Sequence, residues 1–186
     1  MEIGRTVFAE RGYDAASVEE IAERAGISKP IVYEHFGGKE GLYAVVIDRE
    51  MEGVIAKITD AISDGTPRER IEGAALAFLT YVKDNPDGFA VLSRDAPANV
   101  GMASLLAEVG LRVGDVLTNM FKQTGYDPKF APIYAQALIG MVTFVGQWWT
   151  DEHAVSVEEA ASHISALAWM GLRHLPKKPI KLSQPS

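Results

Sequence analysis

From Ser28 to Phe36 the chain reads SKPIVYEHF, a segment of barely two helical turns. Val32 and Phe36 stand four residues apart and share one face of such a helix, which leaves Lys29, Pro30, Ile31, Tyr33 and His35 pointing away from it. That outward set has the chemistry to read duplex DNA. Lys29 can donate to guanine, while Pro30 and Ile31 can touch a thymine methyl. Tyr33 and His35 can hydrogen-bond phosphate oxygens, and Lys39 adds a charge just beyond the segment. A helix of this length is marginal alone, so neighbouring elements must hold it in place.

Those elements are legible upstream. Ser17 and Glu20 have the spacing of a capping box, and Val18, Ile21, Ala22 and Ala25 form the apolar face of the helix that follows. The capped N-terminus at Ser17 is itself a place for a phosphate. Gly26 and Ile27 then make a short turn, with glycine suited to a left-handed position, and Ser28 caps the quoted segment. Two short helices joined by such a turn form a helix-turn-helix. Between Arg24 and Lys39 the charged residues are Arg24, Lys29 and Lys39 against Glu34, so the window is locally positive. Spacing alone leaves two readings open, a DNA-reading unit and a purely structural one.

The rest of the chain is helical in pattern, and strand alternation is absent. A first helix spans Ile3 to about Arg11, with Val7 and Phe8 inward and Gly12 as its stop. A long one runs from Lys39 to about Ile62. Pro67 after Thr66 opens the next, which continues to Asn85 and Pro86. Further helices cover Gly101 to Gln123, the stretch after Asp127 and Pro128, and the stretch after a second capping box at Ser156 and Glu159. The weak boundary at Asp64–Pro67 divides a unit of residues 1–50, its connecting helix continuing to about 62, from a larger unit at 66–175; residues 176–186 form a flexible tail.

Composition excludes several classes. The chain of 186 residues has no cysteine, so disulfides, thiolate metal sites and cysteine nucleophiles are excluded. The apolar run Ala135–Trp149, interrupted by Gln136, Thr143 and Gln147, is shorter than the roughly 18–20 residues a membrane span needs. The N-terminus lacks the pattern of a signal peptide, which points to the cytoplasm. A net charge of −7 opposes nucleic-acid binding in general, so the case for DNA rests on where the positive charges stand. Catalytic constellations are not visible: Gly37, Gly38 and Lys39 resemble only a fragment of a phosphate loop. Glu159 and His163, four apart, with His153 and Asp151 nearby, invite a metal reading. First-turn acids have an electrostatic reason of their own, and neither metal nor cofactor is expected.

Thr6 to Val46, TVFAERGYDAASVEEIAERAGISKPIVYEHFGGKEGLYAVV, closely resembles the N-terminal domain of TetR-type transcriptional regulators. The agreement includes Phe8, Gly12, Ser17, Val18, Ile21, Ala22, Ala25, Gly26, Tyr33, His35, Phe36, Lys39, Glu40 and Leu42. The resemblance implies an all-α protein: a three-helix DNA-binding domain joined to a larger helical domain that binds ligand and dimerises. It puts DNA contacts on Ser28, Lys29, Pro30, Ile31, Tyr33 and His35, and matches Lys39 to a phosphate-contacting lysine. Family members usually carry further, often basic, residues before the first helix, so the start here looks shortened.

The implied function is a homodimeric repressor, released from a palindromic operator by a small, mainly hydrophobic effector. Candidate effector contacts are Phe78, Tyr81, Phe89, Met102, Leu106, Phe121, Tyr134, Met141, Phe144, Trp148 and Met170, because aromatics and methionines suit an apolar pocket. The helix around Ala135–Trp149 is apolar nearly all round and must be covered on every side. Its face Ile139, Gly140, Thr143 and Gly146, with Ile164, Leu167, Gly171 and Leu172 from the last helix, is the expected dimer seam. Two rivals remain: an unregulated DNA binder, and a helical ligand carrier or enzyme whose helix-turn-helix is structural only.

Overall fold

The computed structural model describes residues 1–93 and 101–176, and every element among them is helical. Met102, expected at the pocket, lies outside the described side chains, and 177–186 of the expected tail lies outside the described residues.

The N-terminal unit is built from α1 (Glu2–Ala15), α2 (Val18–Ala25) and α3 (Lys29–Phe36), packed on the start of α4 (Lys39–Ser63). Gly12 does not end α1 as expected. It takes a left-handed φ of 76°, kinks the chain, and the helix resumes to Ala15. The capping box expected at Ser17 is half formed: its hydroxyl accepts from the Glu20 N–H at 3.1 Å. The Glu20 carboxylate turns instead to Arg24 at 2.7 Å and Arg11 at 3.5 Å. Gly26 closes α2 in the left-handed region at φ 66°. Ser28 stands at the N-cap of α3, but its hydroxyl takes no capping hydrogen bond.

The larger unit contains α5 (Pro67–Asp84), α6 (Pro86–Ser93), α7 (Gly101–Thr124), α8 (Ala131–Glu152) and α9 (Val157–Arg173). A 3-10 turn at Pro128–Phe130 precedes α8. Both capping boxes here are complete, Thr66 with Glu69 and Ser156 with Glu159. The cap hydrogen bonds from the Thr66 and Ser156 backbones hold the Glu69 and Glu159 carboxyls below the ordinary carboxylate range. The α6 helix was absent from the sequence expectation, yet it packs on α1, α4, α5 and α7.

One apolar cluster runs from Val7 and Phe8 of α1, through Val46 and Val54 of α4, to Leu79 of α5 and Ile164 of α9. Polar links reinforce the seam between α1 and the larger unit. Thr6 donates to Asp87 at 2.8 Å. Glu50 accepts from the Tyr81 hydroxyl at 2.6 Å and from Arg5 at 3.3 Å. Burial, followed by that bond to Glu50, raises the Tyr81 hydroxyl far above its ordinary pKa.

The apolar run Ala135–Trp149 is shorter than a membrane span, but the helical stretch that contains it is longer. Pro128–Glu152 forms one continuous helical stretch long and apolar enough to cross a membrane, since three dispersed polar side chains do not interrupt it. Only 28% of its most apolar window is buried within the protomer, so much of that surface lacks an intramolecular partner.

Candidate nucleic-acid interface and ligand cavity

Val32 seats α3 in the core, with Phe36 half-buried beside it. Lys29, Pro30, Ile31, Tyr33 and His35 all lie exposed on the other side. One unanticipated residue sets this pose. Gly41, in the first turn of α4, lets the helix pass so close to α3 that a Cβ there would sit 1.8 Å from the Phe36 carbonyl oxygen. A glycine inside a helical pattern is the sequence signal for such an approach.

The local positive charge expected from the window Arg24–Lys39 is reduced, because Arg24 and Lys29 are paired with carboxylates, while Lys39 bonds only neutral groups and keeps its charge. Lys29 pairs with the Glu19 carboxylate of α2. That hydrogen bond raises the Lys29 pKa and lowers that of Glu19. Arg24 binds Glu10 and Glu20, each at 2.7 Å. Lys39 donates to the backbone carbonyls of Tyr13 at 2.9 Å and Asp14 at 3.2 Å, and lies 4.5 Å above the Tyr13 ring. Lys39 therefore ties the end of α1 to the start of α4, and an ammonium has one further donor to offer. A window of sequence cannot reveal these partners, since Glu10, Glu19 and Glu20 lie upstream of it.

Between α4, α5, α7, α8 and α9 lies a cavity of about 770 Å³, within the range of small-molecule sites. Of the expected effector contacts, Phe78, Leu106, Phe121 and Met141 line it. Tyr81 and Phe89 are buried in the core away from it, Tyr81 held by Glu50 and Phe89 edge-on to Phe78. Tyr134 packs against Phe121 in a second apolar cluster. Phe144, Trp148 and Met170 face outward, 73%, 46% and 55% exposed.

The two faces of the last helices are thus partly exchanged relative to expectation, with Met141 at the cavity and Leu167 and Gly171 outward as expected. Ile139, Thr143, Ile164 and Leu172, expected at a dimer seam, line the cavity. Gly146 is buried against α5, where a Cβ would come within 2.8 Å of the Phe78 ring. Gly140 is half-buried with open space above it, and Leu167 and Gly171 are exposed. The physical reason is packing clearance: α5 requires the small side chains of α8 on the inside, which turns the large Phe144 and Trp148 out. Ile133, Ala137, Phe144 and Trp148 of α8, with Leu167 and Met170 of α9, form the exposed apolar surface.

The histidine-bearing corner holds no metal cluster among the described residues. His153 lies against the Trp149 ring, their centroids 4.6 Å apart.

Comparison with known proteins bears on both sites. Residues 1–46 match the family described as bacterial regulatory proteins, tetR family, and residues 67–171 match the tetracyclin repressor-like C-terminal domain. The transcriptional activator FasR of Mycolicibacterium smegmatis is 27% identical over 174 residues, covering 91% of this chain and 80% of FasR. The transcriptional repressor KstR2 of Mycobacterium tuberculosis is 33% identical over 84 residues, 45% of this chain and 42% of that protein. A TetR-like transcriptional regulator from Rhodococcus sp. RHA1 has the same fold, with a TM-score of 0.76 and 27% identity. The match covers 94% of this chain and 93% of that one.

Proposed function

The chain belongs to the TetR family of bacterial regulatory proteins and is a DNA-binding transcriptional regulator, and on that premise we propose that it is a homodimeric repressor released by a small apolar effector. Ser28, Lys29, Pro30, Ile31, Tyr33 and His35 of α3 read the major groove, while Ser17 and Lys39 meet the phosphate backbone. A regulator of this kind works on chromosomal DNA in the cytoplasm. Its relatives are regulators rather than enzymes.

The observation that carries the effector reading is the contact between the cavity and α4. Val54, Ile58 and Ile62 of this helix line the cavity, while its first turn abuts α3 at Gly41. The helix has 25 residues, so it spans about 37 Å. A ligand that wedges its distal half moves α3 at the other end. The Thr6–Asp87 link holds α1 to α6, and Glu50 ties the middle of α4 to Arg5 of α1 and Tyr81 of α5, so α4 has a pivot about which its two ends can tilt. An effector that prefers the tilted shape lowers DNA affinity by the same factor by which DNA lowers effector affinity.

The exposed apolar surface of α8 and α9 supports a two-fold dimer that covers it with a second copy rather than with lipid. Such a dimer presents two α3 helices to a palindrome with half-sites about one helical turn apart. The test is a fluorescence-anisotropy titration of DNA upstream of the protein's own gene, with an unrelated duplex as control. Specific binding that Tyr33→Phe with Lys39→Ala weakens, at unchanged oligomeric state, is the expected result. Unchanged affinity of the double variant for the upstream DNA would overturn the site assignment.

A further inference from the structure

The chain carries a net charge of −7, yet among the described residues no aspartate or glutamate lines the cavity, while Arg70 and Arg173 do. The polar lining otherwise comes from Asn119, Gln123 and Thr124 in the C-terminal part of α7, Tyr126 just beyond it, and Thr143 in the middle of α8. Arg70 is the less explicable of the two arginines. It sits in the first turn of α5, at the positive end of the helix dipole, where a cation is disfavoured. Its Nε is buried and has no hydrogen-bond partner. Among the described residues neither Arg70 nor Arg173 joins an ion pair, whereas Arg68, two residues before Arg70, binds Glu72 at 2.7 Å. Arg173 ends α9, where the dipole favours it, so its position alone requires no ligand.

A guanidinium cannot shed its charge, and a buried donor left unpaired is unfavourable. An anion entering the cavity would supply what Arg70 lacks, and the planar fork binds carboxylate and phosphate in a bidentate manner. We propose that Arg70 and Arg173 form an anion-binding mouth, so that the cavity's ligand is an amphiphile, an apolar chain ending in a carboxylate or a phosphate. The proposal rests on the reading of this cavity as the effector site. The apolar chain lies along the mid-helix lining, against Ala75, Phe78 and Leu105, and the charged head stays at the arginines.

Isothermal titration of the full chain, without DNA, tests this with three probes of one hydrocarbon chain: oleate, oleyl phosphate and oleyl alcohol. At least one anionic probe binds about ten- to a hundred-fold tighter than the alcohol, the range expected for charge-assisted hydrogen bonds. The tighter of the two anions identifies the head group. In Arg70→Met with Arg173→Met the preference collapses to within about three-fold while the alcohol's affinity stays as in the parent. Arg70→Gln with Arg173→Gln, which keeps polarity without charge, gives the same loss if the methionine variant unfolds. Equal affinity of alcohol and anions for the parent, or a preference that survives in the variants, overturns the arginine mouth alone. Failure of all three probes to bind overturns the effector-cavity reading and the mouth with it.

Discussion

Gly41 and Gly53 lie on the same helix, α4, and alanine at each shifts stability in opposite directions. A Cβ at Gly41 falls 1.8 Å from the Phe36 carbonyl oxygen and 3.0 Å from its carbonyl carbon. The obstacle is backbone, so no side-chain rotation clears it, and α3 must withdraw from α4 by more than about 1 Å to restore ordinary contact. Overpacking of this kind costs about 1–3 kcal/mol. A chain of this size loses about 2–4 °C of Tm for each kcal/mol, so Gly41→Ala melts roughly 2–12 °C below the parent. At Gly53 a Cβ meets nothing within 4 Å. Alanine there gains about 0.5–1 kcal/mol from the lower entropy of the unfolded chain, raising Tm by roughly 1–4 °C. Displacing α3 also disturbs base contacts worth about 1–3 kcal/mol each, so Gly41→Ala loses about ten-fold or more in operator affinity while Gly53→Ala keeps it. Circular-dichroism melting and anisotropy titration of both variants read the two effects. If Gly41→Ala melts at or above the parent and binds DNA as well, the close approach of α3 and α4 is not what positions the reading helix.

Three further outcomes follow from other contacts. Glu19→Gln frees Lys29 for its base contact, so operator affinity in an anisotropy titration rises by about five-fold or more, the low end of the range for one base contact; unchanged affinity would remove Lys29 from the reading set. Phe144→Glu with Leu167→Glu places charge on the exposed face of α8 and α9. Sedimentation velocity then reports the 20.2 kDa protomer, and a persistent dimer would move the interface elsewhere. Glu69 and Glu159 have carboxyl pKa values lowered by their caps, so their contribution to stability is full above the ordinary value of 4.5 and is lost as the pH falls through the lowered folded values. Glu69→Gln with Glu159→Gln therefore melts lower than the parent at pH 7, and the difference narrows in acid; a gap independent of pH would detach the caps from titration.

The sequence was most informative where a local rule has one solution. Thr66 with Glu69 and Ser156 with Glu159 announce helix starts that the backbone adopts. Gly26 marks the left-handed turn before α3. It was least informative where a pattern is symmetric. Because α8 is apolar on every side, periodicity gives its axis but not its rotation, and only the clearance between Gly146 and Phe78 decides that Thr143 points in and Phe144 out. The α6 segment PDGFAVLS is too short for its period to show. Charge was partly misleading for a third reason: adding signs along Arg24–Lys39 ignores Glu10, Glu19 and Glu20, which the fold brings from upstream to Arg24 and Lys29.

A reading helix whose lysine is already held by Glu19, on a chain of net charge −7, has little attraction for a random stretch of duplex. The competitor of any operator is the whole genome, roughly a million or more alternative sites for each correct one. Internal pairing of Lys29 would weaken those alternatives first, because only a site offering Lys29 and Ile31 the base-edge contacts proposed above would compensate for separating the pair. The same property sets how the molecule divides its time. Copies not seated on a specific site would then remain mostly off the chromosome, and under the effector reading proposed above the free and bound populations would sense a change in effector level together.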